Sequence, residues 1–60
     1  ESNDYRVLIG ELLARLGEAA QDREHRMEYL QRSLTVFQEL GAQDRMREVQ
    51  AKVHRALMGE

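Results

Sequence analysis

The chain has 60 residues, of which 33% are charged and 42% are hydrophobic, and it contains no cysteine, proline or tryptophan. Its formal net charge of −2 excludes the strongly basic surface that binds nucleic-acid backbones or anionic membranes. No apolar run approaches the roughly 18 residues of a membrane span, and no signal-peptide pattern is present. We therefore expect a single cytoplasmic helical unit. Because it starts with Glu1 rather than Met, we interpret it as a piece of a longer protein.

An apolar stripe with the period of an α-helix predicts a first helix over residues 4–17. Ser2 or Asn3 is expected to cap its N-terminus, and Gly17 is expected to end it in the left-handed conformation. Gly10 lies inside this helix at a propensity cost of about 1 kcal/mol. Either a neighbouring helix approaches this glycine closely, or it is a tolerated weak point. The stripe consists of Tyr5, Leu8, Ile9, Leu12, Leu13 and Leu16.

Two further helices are predicted over residues 22–40 and 44–58, ended by Gly41 and Gly59. The second helix has two adjacent apolar lines, which is typical of a helix with neighbours on two sides. Short connections favour antiparallel neighbours, so the predicted fold is an all-α antiparallel hairpin followed by a third helix. The two lines of the second helix are Met27, Leu30, Leu34 and Phe37, and Tyr29, Ser33, Val36 and Leu40. The third helix has one narrow seam, formed by Met46, Val49, Val53 and Leu57 with Ala42 and Ala56.

Two groups of side chains are predicted to stabilise these helices. The aromatic residues and the three methionines are assigned to the core, namely Tyr5, Tyr29, Phe37, Met27, Met46 and Met58. Acidic residues four positions before basic ones predict intrahelical ion pairs, each contributing a few tenths of a kcal/mol. These pairs are Glu11–Arg15, Asp22–Arg26, Glu28–Arg32 and Glu48–Lys52.

The segment 29–45 has a composite pattern: a large apolar or aromatic residue, a small residue, a leucine and a terminal Leu40-Gly41. This pattern resembles the second helix of a tetratricopeptide repeat and the turn after it, in the variant found in bacterial signalling and transcription-regulating proteins. Ile9 and Gly10 resemble the Leu-Gly pair of a repeat's first helix, where the glycine lets the second helix pack closely. The resemblance implies a repeat-like hairpin over residues 1–41. Residues 44–58 would then form the first helix of a following repeat or a capping helix.

A tetratricopeptide-like fold implies a non-enzymatic protein-interaction module within a larger bacterial regulator. The interface residues expected under this interpretation are Tyr29, Ser33, Val36, Phe37 and Leu40 for packing, and Arg23, Arg26 and Arg32 for polar contacts. The alternative is a homodimerisation domain that associates through the second and third helices. Both hypotheses imply protein partners. Because one and a half repeats are fewer than such stacks normally need, we expect the isolated chain to self-associate as a homo-oligomer or to be unstable.

Other chemistries lack the residues that they require. Asp22 and His25 form one Asp-x-x-His pair, but a metal site of that type needs a second pair, and Ala51 stands three residues before His54. Ser33 has no histidine or acid at helical spacing to activate it. The basic residues of the third helix are interrupted by acids, unlike a nucleic-acid-binding face. We therefore predict no catalytic residue, no metal or other cofactor, and no nucleic-acid partner.

Overall fold

The computed structural model describes residues 2–58, with side chains from residue 4 onward. Three helices follow one another along the chain: α1 (Ser2–Ala19), α2 (Arg23–Leu40) and α3 (Gln43–Leu57). No strand occurs within residues 2–58. The predicted all-α fold is thus confirmed, with helix ends close to the expected positions. The predicted stop at Gly59 lies outside the described residues.

The first helix is longer than expected at both ends. Ser2 and Asn3 already belong to α1, so neither is the residue that precedes it, and their side chains lie outside the described part. The helix also continues through Gly17 to Ala19, and the amide of Ala20 still donates to a carbonyl of the last turn. The prediction that Gly17 ends the helix is wrong because alanines sustain helical conformation beyond it.

Both ends of α2 show standard capping geometry. Asp22 has extended backbone angles, and its carboxylate accepts a hydrogen bond from the amide of His25 at 3.3 Å. At the other end Gly41 has a φ of 71°, its amide donates to Gln38, and the amide of Ala42 donates to Phe37. These two bonds form a Schellman motif. They confirm Gly41 as the stop of α2.

The first two helices form an antiparallel hairpin in which small residues of α1 meet large residues of α2. Gly10 lies against the ring of Phe37, and Gly17 lies against Leu30. The hydroxyl of Ser33 donates a 2.6 Å hydrogen bond to the carbonyl of Gly10, and Ser33 is fully buried. The close approach considered for Gly10 from the sequence is therefore present. A second glycine, Gly17, takes part in the same packing.

The third helix packs on α2 and runs parallel to α1. Val49 joins the buried cluster that includes Leu30 and Phe37. Two ion pairs connect α3 to α1, Arg45 with Glu11 and Lys52 with Glu18. From Glu11 to Glu18 in α1 and from Arg45 to Lys52 in α3, the chain advances by the same number of residues. The two helices therefore point in the same direction.

The core is small, and several residues assigned to it lie outside. Among the described residues, the buried hydrophobic ones are Ala14, Leu30, Phe37, Val49 and Ala56. The core prediction is correct for Phe37. It is wrong for Tyr5 and Met58, which are 67% and 65% exposed, and the seam of α3 ends before Leu57, which is 63% exposed. Met27, Tyr29 and Met46 are half-buried. With Cα extents of 36 × 17 × 12 Å, the three helices leave much of each surface uncovered.

Candidate protein-interaction surface

The helix α1 has two uncharged faces, and only the face with small side chains packs against α2. Gly10, Ala14 and Gly17 are all buried. They follow one another at intervals of four and three residues, which places them on one side of the helix. Because these three residues have small side chains or none, the axes of α1 and α2 can approach closely here, and Phe37 and Leu30 fill the space over the two glycines.

The opposite side of α1 carries large apolar side chains that keep a substantial exposed area within the described chain. Because successive helical residues are rotated by about 100°, these side chains project away from the side that contains Gly10 and Gly17. We call this set the α1 apolar face. It consists of Tyr5 (67% exposed), Leu8 (63%), Ile9 (37%), Leu12 (58%) and Leu16 (43%).

Charged side chains border the α1 apolar face without interrupting it. A shallow depression of about 260 Å³ is lined by Leu8 and Leu12 of the face and by the neighbouring Glu11 and Arg15. The spacing of the apolar residues matches the anchor positions that an amphipathic helix presents to a hydrophobic groove or to a second helix. An exposed apolar patch with a polar border is typical of protein-interaction surfaces.

A second concave surface lies between α1 and α3, above α2. It is a groove of about 240 Å³ whose floor includes Ala14, Phe37 and Val49. Its walls contain the residues of the two ion pairs between the helices: Arg45 Nε is 3.1 Å from Glu11 Oε2, and Lys52 Nζ is 2.9 Å from Glu18 Oε2. These charges already have partners within the chain. The groove is therefore less suited to bind a partner than the α1 apolar face.

The apolar interface residues predicted on α2 are distributed between the core and its margin. Ser33 and Phe37 are buried in the hairpin, so α1 of the same chain already occupies their surface. Tyr29, Val36 and Leu40 are half-buried, and Leu40 packs against the core cluster. The structure does not gather these five residues into one exposed patch.

The three predicted arginines also differ in their surroundings. Arg23 and Arg32 are exposed and line a shallow depression of about 590 Å³ along the outer side of α2. Arg32 pairs there with Glu28 at 2.8 Å, as expected for an intrahelical pair. Arg26 instead turns toward the first connection, and its guanidinium donates to the carbonyl of Ala20 at 3.1 and 3.3 Å. Arg26 thus fastens the start of α2 to the end of α1.

The histidine that suggested a metal ligand takes part in helix capping. His25 Nδ1 is 2.7 Å from the Oδ2 atom of Asp22, the carboxylate that caps α2. Within the described residues there is no group of three or more His, Cys, Asp or Glu side chains that could hold a metal ion. Nor does any described helix have the length and apolar character needed to cross a membrane.

Sequence reasoning identified the residues of the α1 apolar face but not their location. The stripe that predicted helix α1 contains every member of this face. Period alone does not reveal whether a stripe faces the core or a partner. The available signal was the second, small-residue face, marked by Gly10 and Gly17 at helical spacing.

Comparisons with protein-family models, curated proteins and solved structures find no significant match to the chain.

Proposed function

We propose that this chain is a non-enzymatic protein–protein interaction module that binds a helical partner through the α1 apolar face. The observation that supports this proposal is the exposure of five large apolar side chains on one side of α1, when the described core contains only five buried hydrophobic residues. Apolar area on this scale is stabilised by contact with another apolar surface. A partner helix would place its own apolar residues between Leu8, Leu12 and Leu16.

The proposal includes a tetratricopeptide-like origin within a larger cytoplasmic regulatory protein. In addition to the sequence resemblance, the parallel relation of α1 and α3 supports it, since consecutive first helices in such repeats stack side by side. Arg45 and Glu11 are 34 residues apart in sequence, and this equals the period of tetratricopeptide repeats. The absence of cysteine agrees with a reducing compartment.

Selection from a random peptide display library tests the binding surface. The 60-residue chain serves as the target, and the affinity of each enriched peptide is then measured for the original chain and for the Leu12→Glu variant. We expect enrichment of helical peptides whose apolar residues recur at intervals of three and four. Chemical-shift mapping with an enriched peptide should then identify α1 residues from Tyr5 to Leu16.

The outcome that contradicts the proposal is also specific. If every enriched peptide binds the Leu12→Glu variant as tightly as the original chain, the α1 apolar face is not the binding surface. Ala51→Glu is the matched control, because Ala51 is exposed on the outer side of α3. This variant should retain peptide binding within about twofold, a change of less than about 0.5 kcal/mol.

A further inference from the structure

We propose that the α1 apolar face binds a second copy of this chain, with the two α1 helices packed antiparallel about a two-fold axis. This inference rests on the proposed function, because it identifies the partner of the same surface. Contacts within one chain already cover the apolar seam of α3, since Val49 lies in the buried cluster with Leu30 and Phe37, and most of the exposed large apolar side chains of the described residues belong to α1. Self-association therefore has its largest apolar surface on α1.

The sequence of the α1 apolar face is self-complementary in the antiparallel direction. A two-fold axis that passes midway between Ile9 and Leu12 places Ile9 of one copy opposite Leu12 of the second copy. The same axis places Tyr5 opposite Leu16 of the second copy. Each of these four large side chains then meets another apolar side chain, as a two-fold interface requires of a surface that contacts itself.

The charge next to the face is compatible with the same arrangement. Arg15 lies on the flank that lines the depression beside Leu12, and Asp4 lies on the same flank by helical rotation. In an antiparallel pair, equivalent flanks of the two helices face each other, so Arg15 approaches Asp4 of the second copy, in addition to the interaction that Asp4 makes within its own chain. The interaction between opposite charges favours this direction over the parallel one.

The two outer faces of the molecule differ, and this difference favours a closed pair over head-to-tail stacking. The outer side of α3, opposite its seam, is exposed and polar, with Arg47, Glu48, Ala51 and Arg55. Stacking copies in one direction would bury these charges against Leu8 and Leu12, at a large desolvation cost. Pairing α1 with α1 covers both apolar faces and leaves both polar α3 helices outside, as in the terminal helices of repeat arrays.

The available area is sufficient for a weak dimer. The five side chains of the face offer on the order of 400 Å² of apolar surface per chain. The pair would thus bury on the order of 800 Å², which is below the roughly 1,000 Å² of stable specific interfaces and places the dimer among weak, transient ones. We therefore expect a dissociation constant in the micromolar range.

Sedimentation equilibrium of the 60-residue chain, from about 1 µM to about 500 µM, measures this association directly. We expect a reversible monomer–dimer equilibrium. Leu12→Glu should raise the dissociation constant at least about tenfold, because each copy then places a carboxylate in the apolar interface. Ala51→Glu, which lies on the polar side of α3, should leave the constant within about twofold. A dimer that is lost with Ala51→Glu and retained with Leu12→Glu would overturn the proposal.

Disulfide exchange tests the direction of the helices and remains informative if Leu12→Glu fails to fold. The chain has no cysteine, so single cysteines can be introduced by Tyr5→Cys and Leu16→Cys. When the two variants are mixed and oxidised, the antiparallel pair predicts mainly disulfides between unlike variants. Mainly disulfides between like variants would contradict the antiparallel arrangement.

The two proposals fail in different ways. If the chain remains monomeric up to about 500 µM but peptides bind it in a Leu12-dependent manner, the second copy is excluded and the interaction module remains. The partner is then an amphipathic helix from another protein. If neither dimer nor Leu12-dependent peptide binding is observed, both proposals are wrong.

Discussion

The ring of Phe37 lies directly over the backbone of Gly10. A Cβ atom added at position 10 would stand 2.6 Å from Cζ and 2.7 Å from Cε1 of that ring. Real Cβ atoms do not approach other heavy atoms this closely, and Phe37 is only 1% exposed, so the ring has little room to move. The contact fixes how near α1 and α2 can lie.

Gly10→Ala should therefore destabilise the chain although alanine is the better helix former. The propensity gain is about 1 kcal/mol, whereas overpacking a close-packed core typically costs about 1–3 kcal/mol. We expect a net loss in the free energy of unfolding, measured by urea denaturation. In the Phe37→Leu background the ring is absent, and the same substitution should cost much less. An equal cost in both backgrounds would show that the ring is not responsible.

Ser33→Ala tests the buried hydrogen bond of the same interface. Ser33 is fully buried, and its Oγ atom donates to the carbonyl of Gly10 at 2.6 Å. The same carbonyl also accepts the helical hydrogen bond from an amide of the next turn. It therefore keeps one donor when the Ser33 hydroxyl is removed, and we expect the free energy of unfolding to fall by about 1 kcal/mol. Thr35→Ala is the control, because Thr35 makes a similar bond to Gln31 at an exposed position. Its effect should stay within about 0.5 kcal/mol, and a larger loss there than at Ser33 would contradict this account.

The three helices and the stop at Gly41 were predictable because they depend on local sequence. Gly41 ends α2 through its positive φ, a conformation that glycine adopts without strain. Asp22 likewise caps the start of α2 with its own side chain. Gly17 could not be assigned in the same way, because a glycine serves equally as a helix stop or as a site of close packing. Only the position of Leu30 distinguishes the two roles.

The exposed face and the ion pairs between helices depend on tertiary arrangement, so local patterns gave incomplete answers. Of the predicted intrahelical pairs, Glu28–Arg32 is present. Glu11 binds Arg45 of α3 rather than Arg15 of its own helix. Periodicity defines which side chains share a face of α1, but it does not indicate which face the second helix will cover.

Gly41→Ala should lower stability through the backbone alone. No atom lies within 4 Å of a Cβ built at this position, and φ is 71°. The left-handed conformation costs an L-residue roughly 1–2 kcal/mol, and we expect a loss of that size in the free energy of unfolding. Gly41→Asn should lose less, because asparagine tolerates this conformation better. Equal losses for both variants would argue against a conformational origin.

The ion pair between Lys52 and Glu18 should contribute little to stability despite its 2.9 Å distance. Both side chains retain substantial contact with solvent, at 30% and 51% exposure. Exposed pairs typically contribute less than about 1 kcal/mol. A double-mutant cycle with Lys52→Gln and Glu18→Gln should therefore give a coupling free energy below that value. The coupling should also fall as salt is raised from about 0.1 M to about 1 M. A coupling well above about 1 kcal/mol would show that this pair, rather than apolar packing, holds α3 beside α1.

Thermal unfolding at different protein concentrations links the α1 apolar face to stability. If two chains pair through this face, the dimer is more stable than the monomer, and the Tm of the chain should rise with concentration. Leu12 is 58% exposed within one chain, so Leu12→Glu should leave the Tm at low micromolar concentration nearly unchanged. At high concentration the variant should lose the rise. By contrast, Leu30→Ala should lower the Tm at every concentration, because Leu30 is 1% exposed and its truncation costs about 2–5 kcal/mol. A Tm of the original chain that does not change with concentration would mean that the monomer folds without a partner on α1.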